Sequence, residues 1–275
     1  MLLCVRNGPI SKENRLDKEA EVVLHDKRGA VYWITINRPE RRNAVTGAVM
    51  EGIREGIRRA NADASVRAIV LTGAGEQAFC AGADLKPGAR FVFDYSRTST
   101  DYCELLREVR RNPLPLIARV NGTAMAGGTG LVAMCDMAVA VDSAKFGMPE
   151  VRIGLFPMQI YVVLKERVLR AKLTEWCLTG EPFDALEAKQ GGLISYAVPR
   201  SELDAKVDWL LARLIDKSPT AIRKGKYAMA AMNEMGFEQA ATYSEAMLPT
   251  LTLTEDAKEG KAAFNEKRPA AWSGR

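Results

Sequence analysis

The sequence is nearly free of histidine: one residue of the 275, His25, is of this type. A metal site built from several histidines is therefore excluded, and any Ser-His-Asp or Cys-His catalytic group would have to use this residue. His25 is followed by the polar residues 26–28, which predict a surface turn. We therefore expect acid–base chemistry to come from carboxylates.

Cysteine is scarce, and its five residues lie far apart with no C-x-x-C pair. This pattern predicts reduced thiols in a cytoplasmic protein and no zinc site. Apolar runs of about 18 residues are also missing, so we expect no transmembrane helix. The composition, 47% hydrophobic and 27% charged, excludes a disordered chain.

Blocks of charge of one sign are absent as well. Lys and Arg number 39 against 34 Asp and Glu, and the excess of +5 is spread along the chain. Nucleic acid is therefore not implied as a partner, whereas an anionic small molecule is compatible with this charge.

Hydrophobic patterns predict an α/β chain with a largely parallel sheet, because strands and helices alternate. The predicted strands are residues 31–36, 67–72, 116–120 and 137–141. Val49, Ile53 and Ile57 recur at helical spacing between the first two strands. We predict a core at residues 1–195 and a helical region at residues 196–275.

Two glycine clusters are candidate ligand sites. Residues 73–78 form G-x-G-x-x-A after a predicted strand, a weak dinucleotide-binding pattern, but Pro87 interrupts the helix that should follow. A turn between two strands is the alternative. Gly127, Gly128 and Gly130 precede an apolar helical run. Free N–H groups there would stabilise an oxyanion, and close packing of the helix on the sheet is the alternative.

Several short motifs occur together and in order. They are Asn37-Arg38-Pro39 with Asn43-Ala44, residues 78–86 (AFCAGADLK), Val120-Asn121-Gly122 with Ala126-Gly127-Gly128, Cys135-Asp136, residues 146–150 (FGMPE), residues 154–157 (GLFP), Leu178-Thr179-Gly180 and residues 264–268 (FNEKR). With these motifs the chain, from about residue 22 to its C-terminus, resembles the crotonase superfamily, the enoyl-CoA hydratases and isomerases.

The resemblance implies a crotonase-like spiral of repeated ββα units followed by C-terminal helices. These helices would support a homotrimer or a homohexamer of paired trimers. The resemblance also implies an acyl-CoA substrate. We therefore expect no permanently bound cofactor and no metal, since coenzyme A arrives as part of the substrate.

Roles for individual residues follow from the same resemblance. The backbone N–H groups of Ala83 and Gly127 match the pair that grips the thioester oxygen, on which an enolate charge develops. The implied substrate contacts are Arg41, Arg42, Ala44, Ala81, Asp84, Leu85, Lys86, Gly128, Gly130, Phe264 and Lys267. The two arginines and the two lysines are candidates for the phosphates of CoA, with an ordinary solvated surface as the alternative. The tail residues 264 and 267 match positions that reach the nucleotide of a neighbouring subunit in relatives.

One departure from the family pattern bears on the chemistry. Hydratases of this family usually hold a water between two glutamates. Glu150 matches the second, whereas Gly130 stands where the first belongs. We expect burial to raise the pKa of Glu150, and Gly130 to leave space for a bulkier acyl group or an extra water. Met158 and Tyr161 either reshape the acyl pocket or pack in the core.

Four functions remain open on this evidence. The first is an enoyl-CoA hydratase-type lyase that uses Glu150 alone, and the second is an isomerase that converts 3-enoyl-CoA to 2-enoyl-CoA with one base. The third is a hydrolase or decarboxylase with the same enolate chemistry, and the fourth is an acyl-CoA-binding relative with low activity.

Residues 87–100 are expected to be an insertion that lines a pocket.

Overall fold

The computed structural model describes residues 21–84 and 96–275, and within them the chain forms ten strands and ten helices. The strands are β1 (Val23–Arg28), β2 (Val31–Ile36), β3 (Ala68–Gly73), β4 (Ala78–Cys80), β5 (Leu116–Val120), β6 (Thr123–Met125), β7 (Met137–Val141), β8 (Lys145–Gly147), β9 (Phe183–Asp184) and β10 (Tyr196–Val198). The helices are α1 (Gly47–Ala62), α2 (Asp101–Arg111), α3 (Gly127–Ala133), α4 (Met158–Leu164), α5 (Arg170–Thr179), α6 (Ala185–Gln190), α7 (Leu203–Ile215), α8 (Pro219–Met232), α9 (Phe237–Thr252) and α10 (Glu255–Glu266). Three 3-10 turns, Pro39–Arg41, Pro149–Ile153 and Arg200–Glu202, complete the order.

The strands form two sheets, and successive strands from β3 to β8 alternate between them. The larger sheet has the order β1-β2-β3-β5-β7-β10 and the smaller the order β4-β6-β8-β9. All neighbours are parallel except the pairs β1–β2 and β8–β9. Each pair β3/β4, β5/β6 and β7/β8 is followed by a helix, so a strand–strand–helix unit repeats along the chain. The predicted α/β fold with a parallel sheet is confirmed.

The core consists of the strands that the sequence makes continuously apolar and of the helix faces packed on them. All six residues of β3 are buried. Val49, Ile53 and Ile57, which recur at helical spacing, are the buried face of α1. The side chain of Thr46 accepts a hydrogen bond from the Val49 N–H and so caps this helix where it begins.

Two local expectations from the sequence are resolved by the fold. Residues 73–78 connect β3 directly to β4, so no helix follows the G-x-G-x-x-A pattern and the turn alternative is correct. His25 lies within β1 rather than in a turn, and its Nε2 is 2.9 Å from the carbonyl oxygen of Gly52 on α1. The predicted surface turn at His25 is therefore wrong.

Helices α7 to α10 form the C-terminal region, after β10 has joined the larger sheet beside β7. The buried carboxylate of Asp256 ties this region together. Its oxygens accept hydrogen bonds from Ser218 Oγ at 2.8 Å, from the Ser273 N–H at 2.8 Å and from the Gly274 N–H at 2.9 Å. The C-terminal residues are thereby held against the start of α8.

None of the described helices is both long enough and apolar enough to cross a bilayer.

Candidate active site

Three neighbouring parallel strands of the smaller sheet, β4, β6 and β8, end at one edge of it. Ala83 lies three residues beyond β4, Gly127 two residues beyond β6, and Glu150 three residues beyond β8. Carboxyl ends of adjacent parallel strands meet at the same edge, where α/β proteins commonly bind ligands. The fold therefore brings the three predicted catalytic positions to one edge of the smaller sheet.

Glu150 lies in the 3-10 turn Pro149–Ile153, and its backbone carbonyl accepts hydrogen bonds from the N–H groups of Gly154 and Leu155. Gly180 lets α5 approach this turn closely, because a Cβ there would lie 2.8 Å from Val151 Cγ2. The Oε2 atom of Glu150 is buried, and no atom of the described residues hydrogen-bonds to it. Burial raises the pKa of this carboxyl above its ordinary value, as expected from the sequence. A buried carboxylate oxygen without a donor is a strong candidate for proton transfer.

The neighbours of Ala83, and not Ala83 itself, make the described hydrogen bonds of this segment. The Val45 carbonyl accepts a hydrogen bond from the Asp84 N–H at 3.3 Å, and the Val45 N–H donates to the Gly82 carbonyl at 2.8 Å. The Ala83 N–H therefore points away from Val45, as alternate residues of a strand do. Within residues 21–84 and 96–275 it has no hydrogen-bond acceptor.

The Gly127 N–H follows a strained residue. Ala126 has φ 49° and ψ −123°, a conformation that residues with a Cβ rarely adopt, and its own N–H donates to the Gly147 carbonyl at 2.8 Å. Such strain persists where the surrounding structure enforces it, and it is found disproportionately at functional sites. The Gly127 N–H, like that of Ala83, has no acceptor among the described residues.

The two chain segments that carry these N–H groups are in direct contact. Gly82, which has φ +91°, would place a Cβ 2.9 Å from the Ala126 Cβ, and a Cβ on Gly128 would lie 2.1 Å from the Cys80 carbonyl oxygen. Close packing therefore explains Gly128, while Gly127 retains the free N–H that an oxyanion requires.

Position 130, where the family pattern places the first glutamate, is closed. A Cβ on Gly130 would lie 2.4 Å from Tyr102 Oη and 2.4 Å from Ile160 Cγ2. Both of these side chains are buried. The expectation that Gly130 leaves space for a bulkier acyl group or an extra water is therefore wrong, because α2 and α4 fill that space.

The implied CoA contacts come from separate parts of the chain. Ala44, Ala81 and Asp84 lie together around the 3-10 turn Pro39–Arg41, where the Ala81 N–H donates to the Arg42 carbonyl at 3.0 Å. The side chain of Arg38 binds the Ala44 carbonyl at 2.7 Å and the Asp84 carboxylate at 3.1 Å. The implied contacts Leu85 and Lys86, and most of the expected insertion at residues 87–100, lie outside the described residues.

Arg41 and Arg42 differ in their surroundings. The Nη1 atom of Arg41 is buried and has no hydrogen-bond partner among the described residues. Arg42 is exposed and borders, with Asn43, a surface groove of about 590 Å³. Phe264, at 84% exposure, and Lys267 lie at the end of α10, where no hydrogen bond or ion pair of the described residues joins their side chains to Glu150 or its surroundings.

Among the neighbours of the site, Tyr102 has no distinctive signal in the sequence, whereas Asn43, Met158 and Tyr161 are marked by the sequence analysis. The side chain of Asn43 is fully buried and donates to the carbonyls of Ala74 and Ala78 at 2.9 and 2.8 Å, which fixes the loop before α1. Tyr102 Oη donates to the Gly127 carbonyl at 2.7 Å, across 25 positions of sequence. Met158 is 70% exposed and Tyr161 39% exposed, so core packing is the wrong alternative for both.

Comparison with known proteins identifies the family. The family model described as enoyl-CoA hydratase/isomerase matches residues 26–275. A Mycobacterium tuberculosis protein with the name "Probable enoyl-CoA hydratase" is 34% identical over 249 residues, which cover 90% of this chain and 96% of that protein. The chain belongs to the enoyl-CoA hydratase/isomerase family and is an enzyme of that type.

Solved structures agree with this assignment. The crystal structure of an enoyl-CoA hydratase from Mycobacterium smegmatis has a TM-score of 0.85 at 34% identity, with 91% of this chain and 98% of that chain covered. Human enoyl coenzyme A hydratase domain-containing protein 3 has a TM-score of 0.85 at 28% identity, with 91% and 100% covered. The predicted crotonase-like fold with a helical C-terminal region is confirmed.

Proposed function

We propose that the protein is an enoyl-CoA hydratase-type lyase that uses Glu150 as its single acid–base group. The buried, unpartnered Oε2 of Glu150 is the observation that carries this proposal. We further propose that the N–H groups of Ala83 and Gly127 donate to the thioester oxygen of the substrate, since neither has an acceptor in the described part of the chain and their chain segments touch. The names of the relatives support the hydratase-type activity.

The reaction proceeds through one carboxylate. Glu150 takes a proton from water as the water oxygen bonds to C3 of the enoyl thioester, and the C2=C3 electron pair moves onto the thioester oxygen. The N–H groups of Ala83 and Gly127 stabilise that charge. Glu150 then gives its proton to C2, so one water has been added and the carboxylate is restored. Each amide donor of this kind typically contributes about 10²–10³ in rate, and general acid–base catalysis about 10²–10⁴.

An isomerase is the second candidate, and the closed position at Gly130 favours it. The same carboxylate would take a proton from C2 of a 3-enoyl thioester and return it to C4, with the intermediate dienolate held by the same two N–H groups. This reaction needs neither a water in the site nor a second glutamate.

Purified protein is tested with crotonyl-CoA and with 3-hexenoyl-CoA, as wild type, as Glu150→Gln and as Glu181→Gln. Glu181 is the matched control, because it is an exposed glutamate in an ion pair with Arg152. The lyase is supported if the wild type hydrates crotonyl-CoA and the hydration rate falls at least 10²-fold in Glu150→Gln but not in Glu181→Gln. Double-bond migration without hydration replaces the lyase with the isomerase. Equal activity of wild type and Glu150→Gln on both substrates overturns the role of Glu150, and the CoA-binding alternative remains if that equal activity is low.

CoA enters only as part of the substrate in this proposal, with no permanently bound cofactor. We propose that its phosphates lie near Arg41 and Arg42, since the buried Nη1 of Arg41 has no partner in the described chain. Leu85, Lys86 and the tail residues Phe264 and Lys267 remain proposed contacts by family position. A CoA-binding titration of Arg41→Met tests the first of these contacts.

We propose a homotrimer, or a homohexamer of two trimers, formed through the C-terminal helices. Helix α9 has no buried residue, and large apolar side chains of α8 to α10 are exposed, including Tyr227, Phe237 and Leu253. Light scattering of purified protein tests the assembly, and a monomer would refute it.

The four described cysteines are free, which supports the cytoplasmic location that we propose.

A further inference from the structure

Tyr102 is buried against the part of the site that binds the oxyanion in the proposed function. It is the second residue of α2, and the start of this helix is tied to α4 because Gln159 Nε2 donates to Thr100 Oγ1 at 2.7 Å. Thr100 in turn caps α2 by accepting from the Cys103 N–H at 3.2 Å. These contacts fix the backbone from which the Tyr102 ring extends.

The hydroxyl of Tyr102 has a defined partner. It donates to the Gly127 carbonyl oxygen at 2.7 Å, and a Cβ on Gly127 would lie 3.4 Å from the ring carbon Cε2 of Tyr102. The same hydroxyl stands 2.4 Å from the place of a Cβ on Gly130. Burial raises the pKa of Tyr102 well above its ordinary value, and the charge of Glu150 adds to this, so the hydroxyl remains a donor across the neutral range.

Gly127 needs such support because glycine has two unrestricted backbone dihedrals. The peptide before it, which carries the Gly127 N–H, is held through its Ala126 carbonyl, which accepts a hydrogen bond from the Gly130 N–H at 3.2 Å. The peptide after it carries the carbonyl that Tyr102 holds. With both flanking peptides fixed, the direction of the Gly127 N–H is fixed as well.

We propose that Tyr102 is a positioning residue, which orients the Gly127 N–H toward the thioester oxygen and, together with Ile160, keeps a second acid and a second water out of position 130. This inference rests on the proposed function. It assigns to a tyrosine of α2 the space that the family pattern gives to a glutamate, and it makes the site specific for reactions that Glu150 can complete alone.

The test compares butyryl-CoA with S-butyl-CoA, the thioether that lacks the carbonyl oxygen. Dissociation constants are measured by calorimetry for wild type, Tyr102→Phe, Tyr102→Met and the control Tyr32→Phe, which removes the hydroxyl of a buried tyrosine on β2. Loss of one hydrogen bond corresponds to a factor of up to about 10. We expect the preference for the thioester to fall about 3–10-fold in both Tyr102 variants, kcat to fall by a similar factor, and S-butyl-CoA affinity to stay unchanged.

The outcomes separate this inference from the function beneath it. A wild-type protein without preference for butyryl-CoA over S-butyl-CoA refutes the proposed oxyanion site itself. A wild-type preference that survives in the Tyr102 variants, with kcat within about twofold, overturns only the role of Tyr102, even where the melting temperature falls. Two Tyr102 variants are measured so that the ratio is obtained if one of them does not fold. Tyr32→Phe is expected to keep the wild-type ratio.

Discussion

Replacement of Gly130 by alanine is the most direct test of the closed position. The new Cβ would lie 2.4 Å from Tyr102 Oη and from Ile160 Cγ2, whereas carbon atoms pack at about 3.5–4.0 Å. Both neighbours would have to move by more than about 1 Å in a densely packed interior. Overpacking of this kind costs about 1–3 kcal/mol, and we expect the upper half of that range because contacts on two sides are violated at once.

The matched control is Gly225, in the middle of α8, where an added Cβ would meet nothing within 4 Å. Gly225→Ala is therefore expected to stabilise the protein by about 0.5–1 kcal/mol, the ordinary helix gain of alanine over glycine. The same gain offsets part of the overpacking cost at position 130, which leaves Gly130→Ala less stable than wild type by about 1–2.5 kcal/mol. At about 2–4 °C per kcal/mol for a chain of this size, the melting temperature falls by about 2–10 °C.

Differential scanning calorimetry of both variants measures the effect. The double variant Gly130→Ala/Tyr102→Phe should lose less stability than the sum of the two single changes, since removal of the hydroxyl relieves one of the two contacts. If Gly130→Ala were stabilised like Gly225→Ala, the space beside position 130 would be open. The argument for a single-glutamate site would then fail, because a second carboxylate or a water would fit.

Four further predictions concern protonation and charge. Because burial raises the pKa of Glu150 and the base must be ionised, kcat/KM should fall on acidification at a higher pH than for an exposed glutamate, as a pH–rate profile would record. The native state holds the Glu150 proton more tightly than the unfolded state, so stability is lost as pH rises through the raised pKa, and Glu150→Gln should unfold at a higher temperature than wild type at pH 8 but not at pH 4. For Asp256, burial alone would raise the pKa, but hydrogen bonds led by that of the Gly274 N–H hold it below its usual range. Its contribution is thus present above the unfolded-state pKa and lost as pH falls, and Asp256→Ala should lower the free energy of unfolding by about 2–3 kcal/mol at pH 7 in urea titrations and by less at pH 3. Arg41→Met should raise KM for acyl-CoA about 10-fold with little change in kcat, whereas Arg59→Met, which removes an exposed arginine paired with a glutamate, should change neither.

The sequence predicts the larger sheet far better than the smaller one. Strands β2, β3, β5 and β7 have five or six residues each and are mostly buried, so their apolar runs are visible in the sequence. Strands β4, β6 and β8, which position the site, have three residues each. A strand of three residues is too short to show a periodic pattern. Ala83, Gly127 and Glu150 are therefore recognised through the family motifs and not through strand patterns.

The neighbours of these residues are harder to predict. Tyr102 lies on a helix whose spacing marks it as an ordinary core position, and only the 2.7 Å contact with the Gly127 carbonyl distinguishes it. The closure of position 130 likewise depends on Tyr102 and Ile160, from helices 58 positions apart, meeting at one glycine. Contacts of this kind arise from tertiary packing, and no local pattern of one sequence encodes them.

The closed position at Gly130 and the free oxygen of Glu150 have a common physical explanation. In a site with two glutamates, the repulsion of like charges raises the pKa of one carboxyl. A lone carboxyl that must both accept and return a proton lacks that neighbour, and any hydrogen-bond donor on its reactive oxygen would lower its pKa and weaken it as a base. Burial without a partner is the remaining way to raise the pKa, and burial is the main cause of the shift at Glu150. An Oε2 without a partner among the described residues is thus the arrangement that the proposed single-carboxylate site requires, at some cost in folding stability.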